Sequence, residues 1–563
     1  MGKIIQRGNL AVIVLFAVIT CTMLMFALTE PYHYDTAEYM QAVQVFKETS
    51  KLSCFPQARC FNSYSLLSAA PLFGYMTLPV TVILSALLTL IMYFYWIKGL
   101  TDRTTAAVST LLLFAVPAGI MTITHMKEDF LVLMYMLAAL LLISRKVPGY
   151  AGYTAGIFYA LAILSKEMPI MFLPLFLVSI YVYNVRDDTR WGNFISKDSL
   201  LRGAKNITIF LIVTVLTVSV FNPHHFQSLW TSTTSPYVGQ FKGLFSPIFS
   251  VGVGSWKYGV GGLLFFGQFL GVILPALETS RVKKTLYAVF IAQFLLLFFF
   301  LCNLTVVRYR HFLWPSLLSF PLMVAVFGNV LSALKIRRPL SEVLTWGTFA
   351  LMAVFLFYNV YPALSFHRKV NTIARFYKDI PREKENTLVM GMDNCIFVRY
   401  FSRLRCISHP VDATEAQAVE FANSIAAEVQ KGMTVFILAD FFSYDGYNAM
   451  TKAFSSFSFK GVYNNWYQNY HNMDYGYGLE EYRQMTLYYI KSAVKDAKNC
   501  NTVYYRSDRG NIPVKDTSGV DIDLYAYNTY CEGGTYAEKD IAVINNRVFP
   551  DLKIAGVVQL QIR

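Results

Sequence analysis

The sequence predicts a mainly α polytopic membrane protein of about 11 transmembrane helices, followed by a C-terminal extracytoplasmic α/β domain. Three observations predict it. Of the 563 residues, 55% are hydrophobic and only 15% are charged, against roughly 25% charged in an ordinary soluble domain. The apolar residues gather in long runs up to about Leu364 and thin out afterwards. Every second loop between the runs carries Lys or Arg, the mark of cytoplasmic loops. The chain divides on this pattern into a transmembrane domain, 1–365, and a soluble domain, 366–563.

Met1 to Arg7 is short and basic, which places the N-terminus in the cytoplasm. Leu10 to Leu28 is too long for the apolar region of a cleaved signal, and no small-x-small site follows it. It is span 1, about 9–29, and segment 30–62 then faces outward. Span 2, near 75–97, ends at Lys98, Thr101 and Arg103. Span 3, about 104–123, leads out to His125-Met126-Lys127-Glu128-Asp129, and span 4, about 130–144, returns to Arg145-Lys146. Span 5 runs to Leu164, where Lys166-Glu167 makes a tight outer turn, and span 6, about 168–184, returns to the basic loop 186–205. Span 7, about 206–222, exits at Asn222-Pro223-His224-His225 into a long outer loop to about 257. Span 8 ends at Glu278, before Arg281, Lys283 and Lys284. Span 9 exits at Thr305 to His311, and span 10 returns to Lys335, Arg337 and Arg338. Span 11, about 343–364, leaves the rest of the chain outside. The outer Arg308 and Arg310 run against the charge rule and call for another explanation.

The net charge of +14 would point to nucleic acid in a soluble protein. Here the basic residues lie in short loops between apolar runs, where topology and anionic lipid account for them, and no nucleic-acid partner is implied. The expected location is the cell (inner) membrane, with the N-terminus cytoplasmic.

In the soluble part, 387–392 and 434–440 read as buried strands, and 414–430 as a helix with Thr414 near its N-cap, a small βαβ-like unit. No glycine-rich phosphate loop follows the first strand, so the unit is not read as nucleotide-binding. Cys54 and Cys60 fall in the first outer loop and Cys395, Cys406, Cys500 and Cys531 in the outer domain, while Cys21 and Cys302 fall in spans. An even number outside suits an oxidising compartment, with 54–60, 395–406 and 500–531 as the expected pairs and free buried thiols as the other reading. No Cys/His spacing resembles a zinc site.

The outer ends of the spans collect ionisable residues of both signs: Asp35 and Glu38 after span 1, Lys127, Glu128 and Asp129 after span 3, Lys166 and Glu167 after span 5, His224 and His225 after span 7, and Arg308, Arg310 and His311 after span 9. Asp35 and Glu38, three apart, share one face of a helix. Ionisable groups cost free energy near a membrane, so a ring of both signs on one face points to a site. Sugar transfer from a lipid phosphate is the chemistry that fits. Arg forks bind the phosphate, an ionised Asp serves as base for the acceptor hydroxyl, and the leaving phosphate is stabilised by Arg, Lys, His or a divalent cation. The metal requirement stays open. Each residue has a plainer reading. Asp35 and Asp129 can cap helices, Glu38 can sit on a solvated face, and Arg308 and Arg310 can be snorkelling anchors. His224 and His225 can be interfacial, and Arg59 also lies on this side.

Four stretches resemble the GT-C superfamily of integral-membrane glycosyltransferases, in the branch of protein O-mannosyltransferases and the aminoarabinose transferase of lipid A. Tyr34-Asp35-Thr36-Ala37-Glu38-Tyr39 is similar to its acidic motif in the first outer loop, and Lys127-Glu128-Asp129-Phe130 to its second acidic motif. Ala162-Ile163-Leu164-Ser165-Lys166-Glu167, followed by Leu173-Pro174, resembles its Leu-Thr-Lys-Glu turn. Residues 307–315, Val-Arg-Tyr-Arg-His-Phe-Leu-Trp-Pro, resemble its Arg-Tyr-x-x-Pro segment. The resemblance spans roughly 9–365. It implies a polyprenyl-phosphate sugar donor, inverting transfer on the extracytoplasmic face, Asp35 as base, Asp129 as second acidic residue, and Arg308 or Arg310 on donor phosphate. The acceptor would be a hydroxyl of a glycan or a lipid-linked glycan. The family often has adjacent Asp-Glu in the first loop, whereas Thr36 and Ala37 separate the acids here, so the base lies between Asp35 and Glu38. The Trp-Trp-Asp motif of oligosaccharyltransferases is absent.

In the outer domain, Tyr463, Trp466, Tyr467, Tyr470, Tyr475 and Tyr477 could stack on sugar faces, although local packing explains them as well. A polymerase or ligase of lipid-linked oligosaccharides is the nearest alternative, but the long outer loop carries only Lys242 and Lys257 as full cations. A transporter or flippase would show an internal repeat and ionisable groups near midplane, and the sequence has no repeat.

Overall fold

The computed structural model describes residues 7–28, 30, 36–37, 39–40, 77–144, 150–166, 168–184, 196–221, 260–278, 281–303, 309–369, 377–378, 387–391, 395–408, 414–438 and 453, and the strand residues 458–469, 481–492, 501–504, 513–515, 521–523, 525–530 and 536–541. They form two compact units. One comprises 1–29, 42–368 and 471–479, and the other 30–41, 369–470 and 480–563.

The first unit is helical. Its helices are α1 (Arg7–Phe26), α2 (Thr77–Leu100), α3 (Arg103–Ala115), α4 (Pro117–Thr124), α5 (Asp129–Ser144), α6 (Tyr150–Ser165), α7 (Leu173–Asn184), α8 (Lys197–Phe221), α9 (Gly262–Leu270), α10 (Leu274–Leu277), α11 (Arg281–Cys302), α12 (Leu313–Ala333) and α13 (Arg338–Lys369). Among the described residues five helices are long and apolar enough to cross a membrane, six if α3 and α4 form one bent span. Five more apolar helices are 10–17 residues long. Large apolar side chains such as Leu351, Phe355 and Tyr358 on α13 and Val220 on α8 stand exposed, as lipid-facing surfaces do.

The helices are locked by hydrogen bonds that reach across, each worth more where water cannot compete. Thr89 Oγ1 on α2 donates to Phe130 O on α5 at 2.6 Å, and Tyr93 Oη donates to Leu317 O on α12 at 2.8 Å. Gln268 Nε2 on α9 donates to Ser316 Oγ on α12 at 3.0 Å. Gly156 on α6 and Gly203 on α8 permit close helix approach, since a Cβ there would meet Phe210 O at 2.9 Å and the Tyr181 ring at 2.5 Å.

The expected single span 104–123 is instead two helices bent by 61°. The residue before a proline avoids the α region, and Val116 is extended before Pro117, which then opens α4. A Cβ at Gly119 would stand 2.2 Å from Leu113 O, so only glycine lets α4 fold against the last turn of α3. Two other spans also differ from expectation. The helix α8 begins at Lys197, taking part of the expected basic loop, and α13 begins at Arg338 rather than near 343. A polar first turn is no barrier to a helix that starts outside the hydrocarbon.

The second unit holds a five-stranded mixed sheet of order β2-β1-β3-β5-β4. Strands β1 (Thr387–Gly391), β2 (Arg405–Ser408) and β3 (Thr434–Leu438) are parallel, with Leu388 opposite Arg405 and Val435. Strands β4 (Ser458–Asn469) and β5 (Glu481–Ser492) continue it antiparallel. The crossover between β2 and β3 is α14 (Glu415–Gln430), opened by a capping box in which Thr414 Oγ1 accepts from Gln417 N and Gln417 Oε1 accepts from Thr414 N. Strand β2 was not expected, since its four residues are too short for a pattern. Further strands β6 (Asn501–Tyr504), β7 (Pro513–Lys515), β8 (Asp521–Asp523), β9 (Tyr525–Tyr530) and β10 (Tyr536–Ile541) form a three-stranded sheet β10-β9-β6 and a pair β7-β8. Cys395 and Cys406 are disulfide-bonded, as one of the expected pairs, while Cys54, Cys60, Cys500 and Cys531 lie outside the described residues. The same unit pairs Lys378 with Glu30 and stacks Tyr377, Phe397 and Phe401.

Candidate active site

The turn after α4 is where the charged residues converge. Thr122 O accepts from Lys127 N and Ile123 O from Met126 N, closing the helix end with two reversed bonds. The closure puts Met126 in the left-handed region at φ 57, a conformation that costs a non-glycine residue about 1–2 kcal/mol. Strain of this kind persists where the surroundings impose it, and often at functional sites. The next three residues, Lys127, Glu128 and Asp129, are all at most 2% exposed.

Asp129 is the first residue of α5, where the helix dipole favours an anion. Its Oδ1 accepts from Lys166 Nζ at 2.6 Å and from Trp314 Nε1 at 3.0 Å. Lys166, just past the end of α6, also donates to Glu128 Oε1 at 3.0 Å. The three side chains of this ion triad are at most 5% exposed. Two donors on one oxygen fix the carboxylate's orientation, and Oδ2 is buried with no hydrogen bond among the described residues. An oriented carboxylate with one oxygen to spare is suited to receive a ligand hydroxyl.

Trp314 arrives from the start of α12, and its ring packs on Phe172 with centroids 5.8 Å apart. One turn earlier, Arg310 lies in the 3-10 turn Tyr309–Phe312, which packs against α4. Arg310 is 7% exposed and His311 partly buried. The cations Lys127, Lys166 and Arg310 and the carboxylates Glu128 and Asp129 are all buried, and buried charges of both signs at one place need partners.

Of the expected site residues, the structure joins Asp129 and Lys166 directly and places Lys127, Arg310 and His311 on the adjoining turns. Lys166, expected on phosphate, spends two of its hydrogen bonds on carboxylates. Asp35, Glu38, Arg59, His224, His225 and Arg308 lie outside the described residues, as do Tyr470, Tyr475 and Tyr477. Tyr463, Trp466 and Tyr467 fall on β4. Two participants had no role assigned from the sequence. Glu128 stood in the expected ring and in the second acidic motif beside Asp129. Trp314 offered the signal that a buried indole N–H needs an acceptor. Among the described residues no three His, Cys, Asp or Glu side chains are grouped to hold a metal.

No protein-family model and no curated protein sequence matches the chain. Solved structures do. ArnT from Cupriavidus metallidurans bound to undecaprenyl phosphate is 14% identical over 86% of this chain and 99% of its own, with a TM-score of 0.53. The same protein in the apo state gives 13% identity, coverage of 86% and 98%, and a TM-score of 0.52. The archaeal oligosaccharyltransferase AglB from Archaeoglobus fulgidus, in complex with an inhibitory peptide and a dolichol-phosphate, covers 84% of this chain at 12% identity, but its TM-score of 0.46 carries no weight. The chain shares the fold of ArnT, and its apolar helices make it a multi-pass membrane protein.

Proposed function

We propose that this GT-C-fold chain moves a sugar from a polyprenyl-phosphate-linked donor to a hydroxyl of a glycan or lipid-linked acceptor on the extracytoplasmic face. The observation that carries the reading is the buried triad of Asp129, Lys166 and Glu128, closed by Trp314, with the buried Lys127 and Arg310 on the adjoining turns. The likeness to a protein bound to undecaprenyl phosphate supports the donor class. Counting the five shorter apolar helices as spans, and the bent pair as one, gives eleven crossings. On that topology the N-terminus is cytoplasmic and residues 366–563 form an extracytoplasmic domain.

In this mechanism Asp35, in the motif matching the family's first acidic segment, removes the proton of the acceptor hydroxyl as its oxygen attacks the anomeric carbon. The bond from that carbon to the phosphate oxygen breaks, and polyprenyl phosphate leaves with the electron pair. Arg308 and Arg310 hold the phosphate through forked hydrogen bonds, which strengthen as its charge grows. Lys166 holds Asp129 in its orientation, and Asp129 Oδ2 takes a hydroxyl of the bound sugar or acceptor. Glu38 serves beside Asp35, Lys127 adds to the positive field, and His311 donates a hydrogen bond to the donor phosphate.

The test is a transfer assay with purified protein in lipid and a panel of polyprenyl-phosphate sugars. Parent protein should form product, and a folded Asp35→Asn should lose about 10²–10⁴-fold. Full activity in Asp35→Asn moves the base to Glu38 or Asp129. If no lipid donor is bound or consumed, the glycosyltransferase reading fails.

A further inference from the structure

Several glycines within the helices of the first unit fall into two groups. At Gly156, Gly203, Gly267 and Gly271 an added Cβ would lie 2.5–2.9 Å from a neighbour, so these positions allow close packing. At Gly328 on α12 and Gly347 on α13 an added Cβ would meet nothing within 4 Å. Glycine weakens a helix relative to alanine, and packing does not require it at these two positions. Both line open space instead.

Gly328 borders a polar cavity of about 460 Å³, with Asp102, Glu278, Lys283, Asn329 and Arg338 among its lining residues. Gly347 borders an apolar cleft of about 730 Å³, with Val12, Ala107, Val343, Trp346 and Ala350. Thr104 and Glu342 line both, so the two adjoin. The polar cavity sits where α3, α11 and α13 begin and α12 ends, which is the opposite end of these helices from Asp129 and Trp314. The cleft follows α13 from Pro339 to Ala350. At 1.5 Å per residue that is about 16 Å, half of an approximately 30 Å hydrocarbon core, or the depth of one leaflet.

We infer that this end of the unit binds a zwitterionic aminophospholipid, its phosphoethanolamine headgroup in the polar cavity and an acyl chain along the cleft. Charge complementarity selects this occupant. Lys283 and Arg338 suit the phosphodiester, and Asp102, Glu278 and Glu342 suit a primary ammonium, which can donate three hydrogen bonds. A choline headgroup has no N–H to donate. The carboxylates Asp102, Glu278 and Glu342 stand among the cations Arg103, Lys283 and Arg338, a balanced lining that suits a zwitterion better than a net anion. The site is separate from the transfer chemistry and does not depend on it.

The experiment exposes the purified full chain to mixed vesicles of phosphatidylethanolamine, phosphatidylcholine and phosphatidylglycerol in equal parts, then counts retained lipids by native mass spectrometry. Phosphatidylethanolamine should be enriched about tenfold over either competitor. In Gly347→Leu and Gly328→Leu the new Cβ meets nothing within 4 Å, the side chain enters the space, and a good helix former replaces glycine. They should bring the ratio back to that of the vesicles while thermal unfolding stays at or above the parent's. Glu342→Gln, on an exposed helix face, should lower the enrichment with the fold intact. No enrichment in the parent, enrichment of phosphatidylglycerol instead, or enrichment unchanged in both filled variants would overturn the assignment.

Discussion

Ion pairs stand at both ends of the helical unit, and they are built in opposite ways. At one end Lys166 meets Asp129 and Glu128 with side chains at most 5% exposed. At the other Arg338 meets Glu342 with side chains 87% and 48% exposed, at a comparable distance of 3.1 Å. The difference teaches what each can do. An exposed pair trades water for a partner of nearly equal worth and contributes little. A buried pair has given up its water, so each member depends on the other for solvation. The buried triad is therefore a fixed arrangement of charge, suited to hold a reacting group in place, and the exposed pair can open to a ligand.

The largest break in this contrast is Lys166→Met. It leaves two carboxylates buried without their cation and should cost about 3–5 kcal/mol of stability, read as a large fall in the thermal unfolding temperature of protein in lipid. If the triad is instead well hydrated, the fall will be as small as that of a surface change. Next is Trp314→Phe, which keeps an apolar ring against Phe172 and removes the donor to Asp129 Oδ1. A hydrogen bond to a charged group is worth about 1.5–3 kcal/mol, and transfer activity should fall further than stability because Asp129 loses one of its two orienting donors. A value of kcat equal to the parent's would remove Trp314 from the site.

At the opposite end the effects shrink. Asp102 caps α3, accepting from Thr105 N at 3.0 Å and from Thr105 Oγ1 at 2.6 Å. Asp102→Ala should cost about 1 kcal/mol, the ordinary worth of an N-cap, with no change in transfer rate. Smallest is Arg338→Gln, expected within about 0.5 kcal/mol and undetectable at high salt. A large effect there would show that the surface pair is held by something more than its own attraction.

Much of this was legible along the chain. Long apolar runs and basic loops marked the helices of the first unit, because a bilayer imposes length and polarity on each helix separately. Thr414 and Gln417 announced the start of α14, since a capping box is written within four residues. The 395–406 pairing was expected, and the structure closes that bridge. Other features depended on neighbours. The break at Val116-Pro117 needed Gly119 to lie on the Leu113 carbonyl before it could become a 61° bend. The four residues of β2 became a strand only because β1 offered a parallel edge.

By itself the sequence determined which residues could live in a membrane, and that Lys127, Glu128, Asp129, Lys166 and Arg310 stand at the ends of apolar runs. These are local properties, set by transfer free energy and backbone preference. Only the tertiary structure decided that Lys166 turns to Asp129 and Glu128, that Trp314 supplies a second donor, and that no described residue bonds Oδ2. Those outcomes depend on side chains separated by 37 and 185 positions meeting in one buried place. The energy of a buried charge is a property of everything around it, and no single stretch of chain contains that information.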